Sequence, residues 1–451
     1  MQEDTICAPA TAPVQSPIAI IRISGPESLR AVSAFFTNAS RLTPRKALFG
    51  SIKKNNQLID DVIIIYYQDP ASFTGEEMIE IFCHGNQIIV HRILDLLHTE
   101  GVRLAEPGEF TRRAFLKGKM DLTEAEAIHQ IITARSSWEV ETALKQMHGS
   151  LREVVDSLRE QIIELKADIE SGIDFIEENI EFISKEEAVQ KTEALCSEIK
   201  SLLERCRNGE RASKGVDITI AGRPNVGKSS LLNLMLNQDR AIVSSVPGTT
   251  RDLIRETVEI EGLQVNLIDT AGIDTPHDEI ERIGIELSHR NIETASIVLV
   301  VLDGTTGLID QDKDILKEVK DKKALFLINK QDIADQEKIH ELAHELPGPA
   351  IEISALKGTG LEEVKEALGK IFHNEFVDIK DSFIADKRII YLLEKAINIA
   401  ENCLELIRAG EPPEIIAFDL QDIQETLGDI TGEITPDDVL GSIFTRFCIG
   451  K

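Results

Sequence analysis

The segment that most limits how this chain can fold is Gly222-Arg223-Pro224-Asn225-Val226-Gly227-Lys228-Ser229, which follows the apolar run Asp217-Ile-Thr-Ile220 and precedes Ser230-Leu-Leu-Asn-Leu-Met235. A glycine-rich turn from a strand into a helix requires a layered α/β unit, in which glycines let backbone N–H groups encircle phosphate oxygens and the helix N-terminus adds a favourable dipole. Lys228 neutralises phosphate charge and Ser229 offers a hydroxyl to magnesium. Val265-Asn-Leu-Ile268, Ile297-Val-Leu-Val-Val-Leu302 and Ala324-Leu-Phe-Leu-Ile328 repeat the strand signal between helix-sized polar stretches. The spacing predicts a doubly wound, mostly parallel sheet over residues 213–371.

The strand ends of that sheet carry further chemistry. Asp269-Thr270-Ala271-Gly272 ends one strand, placing a carboxylate to hold the magnesium shell, through water, and an N–H to sense a γ-phosphate. Asn329-Lys330-Gln331-Asp332 ends another: Asp332 can accept from both guanine N1–H and its exocyclic amine, Asn329 can bond the base edge, and the Lys330 stem can cover the ring. Adenine cannot satisfy Asp332 in that way. Ser354-Ala355-Leu356, after Ala350-Ile-Glu-Ile353, stands where a backbone N–H can meet the guanine oxygen. Between them lies Gly248-Thr249-Thr250-Arg251-Asp252, where Thr250 can offer magnesium a hydroxyl while γ-phosphate is present. The pattern is that of a guanine-nucleotide switch that hydrolyses GTP to GDP, with Lys228 and Thr250 in the catalytic set. Ile273 stands where water-positioning GTPases often carry glutamine, and it cannot orient a water. Glu281 is the candidate for that task; the other reading is a solvated helix-face carboxylate.

At 451 residues the chain needs more than one core. Residues 1–118 alternate apolar runs such as Ile18–Ile23 and Val62–Tyr67 with turn clusters and a helix over 86–99, an α/β domain. No proline then occurs between Pro107 and Pro224, and Leu144, Met147, Leu151, Val154, Leu158, Ile162, Leu165 and Ile169 fall on one helical face. After residue 375, Ile389, Leu392, Leu393, Ala396, Ile399, Ala400, Leu404 and Ile407 trace a second stripe. Residues 119–212 and 372–451 are read as two halves of one discontinuous helical domain interrupted by the nucleotide domain; two separate bundles, or a partner-binding coiled coil, satisfy the same pattern.

The balance is acidic, with 78 Asp plus Glu against 49 Lys plus Arg and a net charge of -29, which opposes broad docking on phosphate backbones or anionic membranes. Three Tyr and one Trp leave little for a base-stacking platform. The six cysteines form no C-x-x-C pair, and no leader or membrane-length apolar run is seen, so a cytoplasmic, non-membrane protein is expected.

From end to end the chain resembles the MnmE/TrmE family of tRNA uridine-modification GTPases. The resemblance rests on Ile20-Ile-Arg-Ile-Ser-Gly25, Phe73-Thr-Gly-Glu-Glu77, Glu106-Pro-Gly-Glu-Phe-Thr-Arg-Arg-Ala114, Gly118-Lys-Met-Asp-Leu122, Glu124-Ala-Glu126 and the terminal Phe447-Cys-Ile-Gly-Lys451. It implies a folate-binding, dimerising N-terminal domain, a helical domain with an inserted GTPase domain, and a homodimer whose GTPase domains meet with potassium beside the phosphates. Asn225 matches the potassium-ligand position, with Ser244, Val246 and Thr249 of the loop around it, although an amide there can also simply stabilise the loop. The nucleotide-binding set implied is Asn225, Val226, Gly227, Lys228, Ser229 and Ser230 with Ser244, Ser245, Val246, Pro247, Gly248, Thr249 and Thr250, besides the strand-end motifs. The resemblance favours the catalytic reading of Glu281. Arg22, Glu80, Lys119 and Lys451 match positions for a tetrahydrofolate ligand (5-formyl- or 5,10-methylene-), and Cys448 matches a tail cysteine tied to modification. It further implies a flavoprotein partner, MnmG, which carries the FAD, and a carboxymethylaminomethyl-type group placed on carbon 5 of the wobble uridine of certain tRNAs. A ribosome-assembly or regulatory scaffold GTPase would share every nucleotide motif, but would be expected to carry a basic RNA-binding appendage. His84-Gly85-Asn86 departs from the family's widespread His-Gly-Gly, Ser244 stands where threonine is frequent, and Asp274 follows Ile273.

Overall fold

A computed structural model describes residues 4–174, 183–239, 255–269, 291–375, 379–433 and 437–450. They divide into two compact units: Met1–His129, Lys145–Glu198 and Leu392–Lys451 form one, and Gln130–Leu144 and Ile199–Tyr391 the other.

The first unit opens with a sheet of β1 (Ile6–Pro9), β2 (Ser16–Ser24), β3 (Ala47–Lys54), β4 (Gln57–Tyr67), β5 (Met78–Gly85) and β6 (Arg103–Leu104). The strands lie in the order β3-β4-β5-β2-β1-β6, antiparallel except for β1 with β6. Period-two alternation along β2, β4 and β5 sends Ile21, Ile64 and Ile81 to one face. The register aligns these three directly across the strands, all fully buried. Val90, Ile93 and Leu97 of the helix Gln87–Thr99 close this core. Asn86 begins that helix as its N-cap, its side-chain oxygen accepting from the Ile88 N–H at 2.9 Å. The departure from His-Gly-Gly thus supplies a favourable cap.

The Glu106–Ala114 segment works through charge. Arg113 donates to Asp4 Oδ1 at 2.7 Å, Glu109 Oε1 at 2.9 Å and Glu76 Oε2 at 3.2 Å, while Arg103 donates to Glu109 at 2.6 and 2.9 Å. Burial alone would raise the Asp4 and Glu109 pKa values, but hydrogen bonds from Arg103 and Arg113 outweigh it and hold both below the usual carboxylate range. Carboxylates depressed in this way stabilise the fold above their unfolded pKa of about 4, and that contribution disappears as pH falls through the lower folded values. Arg113→Ala takes one of two cations from Glu109 and from Asp4, Arg103 remaining on both, and should cost about 2 kcal/mol in denaturant unfolding. Its acid-induced loss of structure should begin at higher pH than in the wild type.

The helical part of this unit includes Ser150–Asp174, Lys387–Ala409 from Leu392 onward, and Pro413–Thr431. Helix Ser150–Asp174 packs along Pro413–Thr431, with Arg159 donating twice to Glu433 at 2.6 Å and Lys166 donating to Gln421 at 2.6 Å. The stripe expected from Leu144 to Ile169 is not continuous. One helix ends at Met147, Gly149 takes a left-handed φ of 91°, and the next helix starts at Ser150. The phase therefore shifts: Leu144 is exposed, Val155 is buried where Val154 was expected, and Leu151, Leu158, Ile162, Leu165 and Ile169 remain inside.

The second unit holds the other sheet: β7 (Val216–Ala221), β8 (Arg255–Ile260), β9 (Leu263–Asp269), β10 (Ile297–Asp303), β11 (Ala324–Asn329) and β12 (Ala350–Glu352), ordered β12-β11-β10-β7-β9-β8. All pairs are parallel except β8 with β9. One face packs Ile218, Ile220, Leu299 and Val301 against Leu231, Met235, Val364 and Leu368; the other packs Val298, Val300 and Leu302 against Ile339 and Leu342. Both faces are covered, as near-continuous apolar strands require.

Candidate functional site: a nucleotide-binding strand edge

The parallel order brings the carboxyl ends of β7, β10 and β11 side by side, the edge at which ligands bind such sheets. From β7 the chain turns through Gly222 and Asn225, both with positive φ (155° and 64°), into the helix Lys228–Asp239. Asn225 is exposed on the loop, as are Ser229 and Ser230, while Val226 is buried beneath it. Lys228 arches back, its Nζ donating to the carbonyls of Gly222 at 2.7 Å and Arg223 at 3.0 Å. The loop is thus shaped around its own lysine.

Asn329 ties three loops together. Its Nδ2 donates to the Val226 carbonyl at 2.6 Å, and its Oδ1 accepts from the Ala355 N–H at 2.9 Å. Gly227 is needed at that crossing, because a Cβ on it would stand 2.2 Å from Asn329 Nδ2 and its φ is 104°. Asp332 Oδ1 accepts from the Ser354 hydroxyl at 2.8 Å, and Lys357 Nζ stands 3.7 Å from Oδ2. The Ser354 hydroxyl, with Lys357 beside it, holds the Asp332 pKa below its usual value, so the group is a carboxylate ready to accept from N–H donors. Gln331 Nε2 donates to Thr359 at 2.7 Å, and Leu356 is 86% exposed at the outer edge. The Ser354 N–H donates to the Thr359 carbonyl at 3.0 Å, closing the Ser354–Thr359 turn.

The structure therefore gathers Asn225–Ser230, Asn329–Asp332 and Ser354–Leu356 on one edge. Asp269 is the last residue of β9. Ser244, Ser245, Val246, Pro247, Gly248, Thr249, Thr250, Thr270, Ala271, Gly272 and Glu281 lie outside the described residues.

Two residues of this edge do not stand out from motif spacing. Arg223 lies 3.4 Å from Asp312 and 3.7 Å from Asp303, and Lys330 Nζ donates to Asp303 Oδ2 at 2.7 Å. Asp303 ends β10 just before Gly304, a strand-end carboxylate of the same kind as Asp269, and that placement is its only mark in the sequence.

The family model described as "MnmE helical domain" matches residues 122–448, and "GTP-binding protein TrmE N-terminus" matches residues 5–119. The chain is 41% identical over 451 residues to the tRNA modification GTPase MnmE of Thermotoga sp. (strain RQ2), covering 99% of this chain and 100% of that one. It belongs to the MnmE family. The tRNA modification GTPase MnmE of Aquifex aeolicus (strain VF5) is also 41% identical, over 450 residues with 99% of this chain and 100% of the other covered. That of Clostridioides difficile (strain 630) is 39% identical, with 100% and 99% covered.

In this MnmE-family chain the N-terminal sheet carries a cavity of about 300 Å³, lined by Arg22, Arg45, Tyr67, Phe73, Glu80 and Lys119 among others. The β2–β5 register sets Arg22 directly opposite Glu80. Arg22 donates to Glu80 Oε1 at 2.9 and 3.1 Å, and Tyr67 donates its hydroxyl to Oε2 at 3.2 Å. Burial, with the Glu80 charge beside it, raises the Tyr67 pKa and keeps the hydroxyl protonated. The Arg22 guanidinium also lies over the rings of Phe73 and Phe110, 5.2 and 5.8 Å from their centroids. Lys119 Nζ donates to the Pro70 carbonyl at 3.0 Å.

The C-terminal tail touches Arg22, one of the residues lining that cavity. Phe447 stacks on His129 with centroids 5.1 Å apart, and the Gly450 carbonyl accepts from Arg22 at 3.4 Å. Cys448 is exposed, whereas the other five cysteines are buried; burial pushes the Cys7 and Cys206 thiols up to about 12, and such thiols are inert. Lys451 lies outside the described residues. Among the described residues no helix is long and apolar enough to cross a membrane.

Proposed function

We propose that this chain is a GTP-hydrolysing tRNA modification enzyme that acts with an MnmG-type flavoprotein to place a carboxymethylaminomethyl-type group on carbon 5 of the wobble uridine of certain tRNAs. The observation that carries the reading is the Asn329 crossing, which joins the phosphate loop to the guanine-reading loops, in a chain matched to MnmE proteins over its full length. The hydrolysis cycle drives conformational change in a homodimer, with the flavin on the partner, in the cytoplasm. The division proposed is 1–118 as the N-terminal domain, 119–212 with 372–451 as the helical domain, and 213–371 as the inserted GTPase domain. The family models, which meet between residues 119 and 122, support the first boundary.

Ser229, Thr250 and Asp269 are assigned to magnesium, and Asn225, Ser244, Val246 and Thr249 to potassium. The exposed, left-handed Asn225 on the loop surface fits a ligand position. Glu281 is assigned the attacking water. Hydrolysis should be at least about tenfold faster in potassium than in sodium, since a fixed cation offsets charge developing on the phosphoryl oxygens. Glu281→Ala should remove turnover in both salts while sparing nucleotide affinity. Equal rates at matched ionic strength would refute the potassium assignment, and undiminished single-turnover hydrolysis the Glu281 one.

The cavity chemistry fits a tetrahydrofolate derivative. Glu80 supplies a carboxylate for pterin N–H groups, Arg22 and Lys119 supply cations for a glutamate tail, and Phe73 supplies a ring face. Lys451 is assigned to the same ligand, which when bound supplies a one-carbon unit. The exposed Cys448 is assigned a part in modification.

A further inference from the structure

We propose that Asp303 is a positioning residue for the bound nucleotide, holding the Lys330 ammonium and the start of the phosphate loop in one geometry. This inference rests on the guanine-nucleotide reading above. Asp303 is 5% exposed and stands at the end of β10, between the strands that carry the two nucleotide loops. Its two oxygens are divided between tasks. Oδ1 accepts from the Thr305 N–H at 2.9 Å and hydroxyl at 2.6 Å, which shapes the turn after the strand. Oδ2 faces the two cations: Lys330 Nζ at 2.7 Å from the base-reading loop and Arg223 Nη2 at 3.7 Å from the phosphate loop.

Lys330 holds a left-handed φ of 67°, a conformation uncommon for a residue that bears a side chain. Its stem is the part that covers a guanine ring, and a stem anchored at its ammonium has few places to lie. An anchor made before the ligand arrives removes the ordering cost from binding. Arg223 is anchored on its other side by Asp312, 1% exposed, whose Oδ2 also accepts from the Ile309 N–H at 3.2 Å. Asp303 is therefore shared by residues from both halves of the nucleotide site.

Burial works against the Asp303 carboxylate, but Lys330 and Thr305 outweigh it and keep the group ionised. Asp303→Asn preserves shape and the Oδ1 acceptor for Thr305 while removing the charge that Oδ2 offers. The test is release of a fluorescent GDP analogue from the full-length protein, comparing wild type, Asp303→Asn, Lys330→Met and the double variant. Each single change should speed release about tenfold, the loss of one charge-assisted hydrogen bond. The double variant should release no faster than the quicker single variant, because both changes break the same anchor. An unchanged rate in Asp303→Asn, or effects that multiply in the double variant, would show that Asp303 serves only its own turn.

Should Asp303→Asn fail to fold, Asp303→Glu shifts the carboxylate by one methylene and should still speed release severalfold; an unchanged rate there overturns the proposal equally. A wild type that binds GDP no more tightly than ADP would remove the guanine reading itself, an outcome separate from a guanine-selective protein indifferent to Asp303.

Discussion

Asp332→Asn should lower GTP affinity by about 10² to 10⁴-fold and transfer the preference to xanthine nucleotides. The carboxylate is held ionised by the Ser354 hydroxyl with Lys357 beside it, so it offers two acceptors to a base presenting two donors. A site built around such bonds rejects a mismatched partner strongly, because buried polar groups are then left unpaired. Asparagine keeps an oxygen for the Ser354 hydroxyl, so the turn stays intact, and its amide can donate to the carbonyl that xanthine carries in place of the guanine amine. Titration with fluorescent guanine and xanthine nucleotides reads both changes. Equal loss for both bases would mean that the loop had collapsed rather than changed its choice.

Gly227→Ala should reduce affinity for all nucleoside triphosphates by about a hundredfold or more while leaving the sheet folded. The added methyl carbon would lie 2.2 Å from Asn329 Nδ2, so the amide must leave the Val226 carbonyl and the crossing between phosphate loop and base loops opens. The strained φ adds roughly 1 kcal/mol or more of its own. Gly262→Ala separates these causes: Gly262 also has a positive φ of 80°, but a Cβ there meets nothing within 4 Å. Backbone strain without the clash should lower thermal stability modestly and spare nucleotide binding. A Gly227→Ala protein binding GTP normally would show that the Asn329 crossing is dispensable.

How far the sequence disclosed this molecule depended on the range of each interaction. The strands around Val300 and Leu327 are near-continuous apolar runs, those around Ile218 and Leu267 keep an apolar stretch broken by single polar residues, and all four are legible one by one. β8 escaped that reading because Arg255-Glu-Thr-Val-Glu-Ile260 alternates polar with apolar and pairs antiparallel at the sheet margin. The stripe through Leu144 failed at Gly149, where one left-handed residue resets the helical phase that periodicity assumes to be continuous.

At the sites the division is similar. Asn329, Asp332 and Lys228 announce themselves by spacing, because each belongs to a short motif at the end of an apolar strand. The Asp303 link to Arg223 and Lys330 joins three strand ends far apart in the chain, and nothing local marks it. Arg22 and Glu80 are likewise brought face to face only by the β2–β5 register. The resemblance named Arg22, Glu80 and Lys119 for one ligand; the structure adds Tyr67 and Phe73 to the same cavity.

Mass analysis of wobble-uridine nucleosides in tRNA from cells lacking the protein reads whether this GTPase serves tRNA modification. Loss of the carboxymethylaminomethyl-type modification on carbon 5 is the expected result, with the modification restored by the wild-type chain. A nucleoside profile unchanged by the deletion would contradict it.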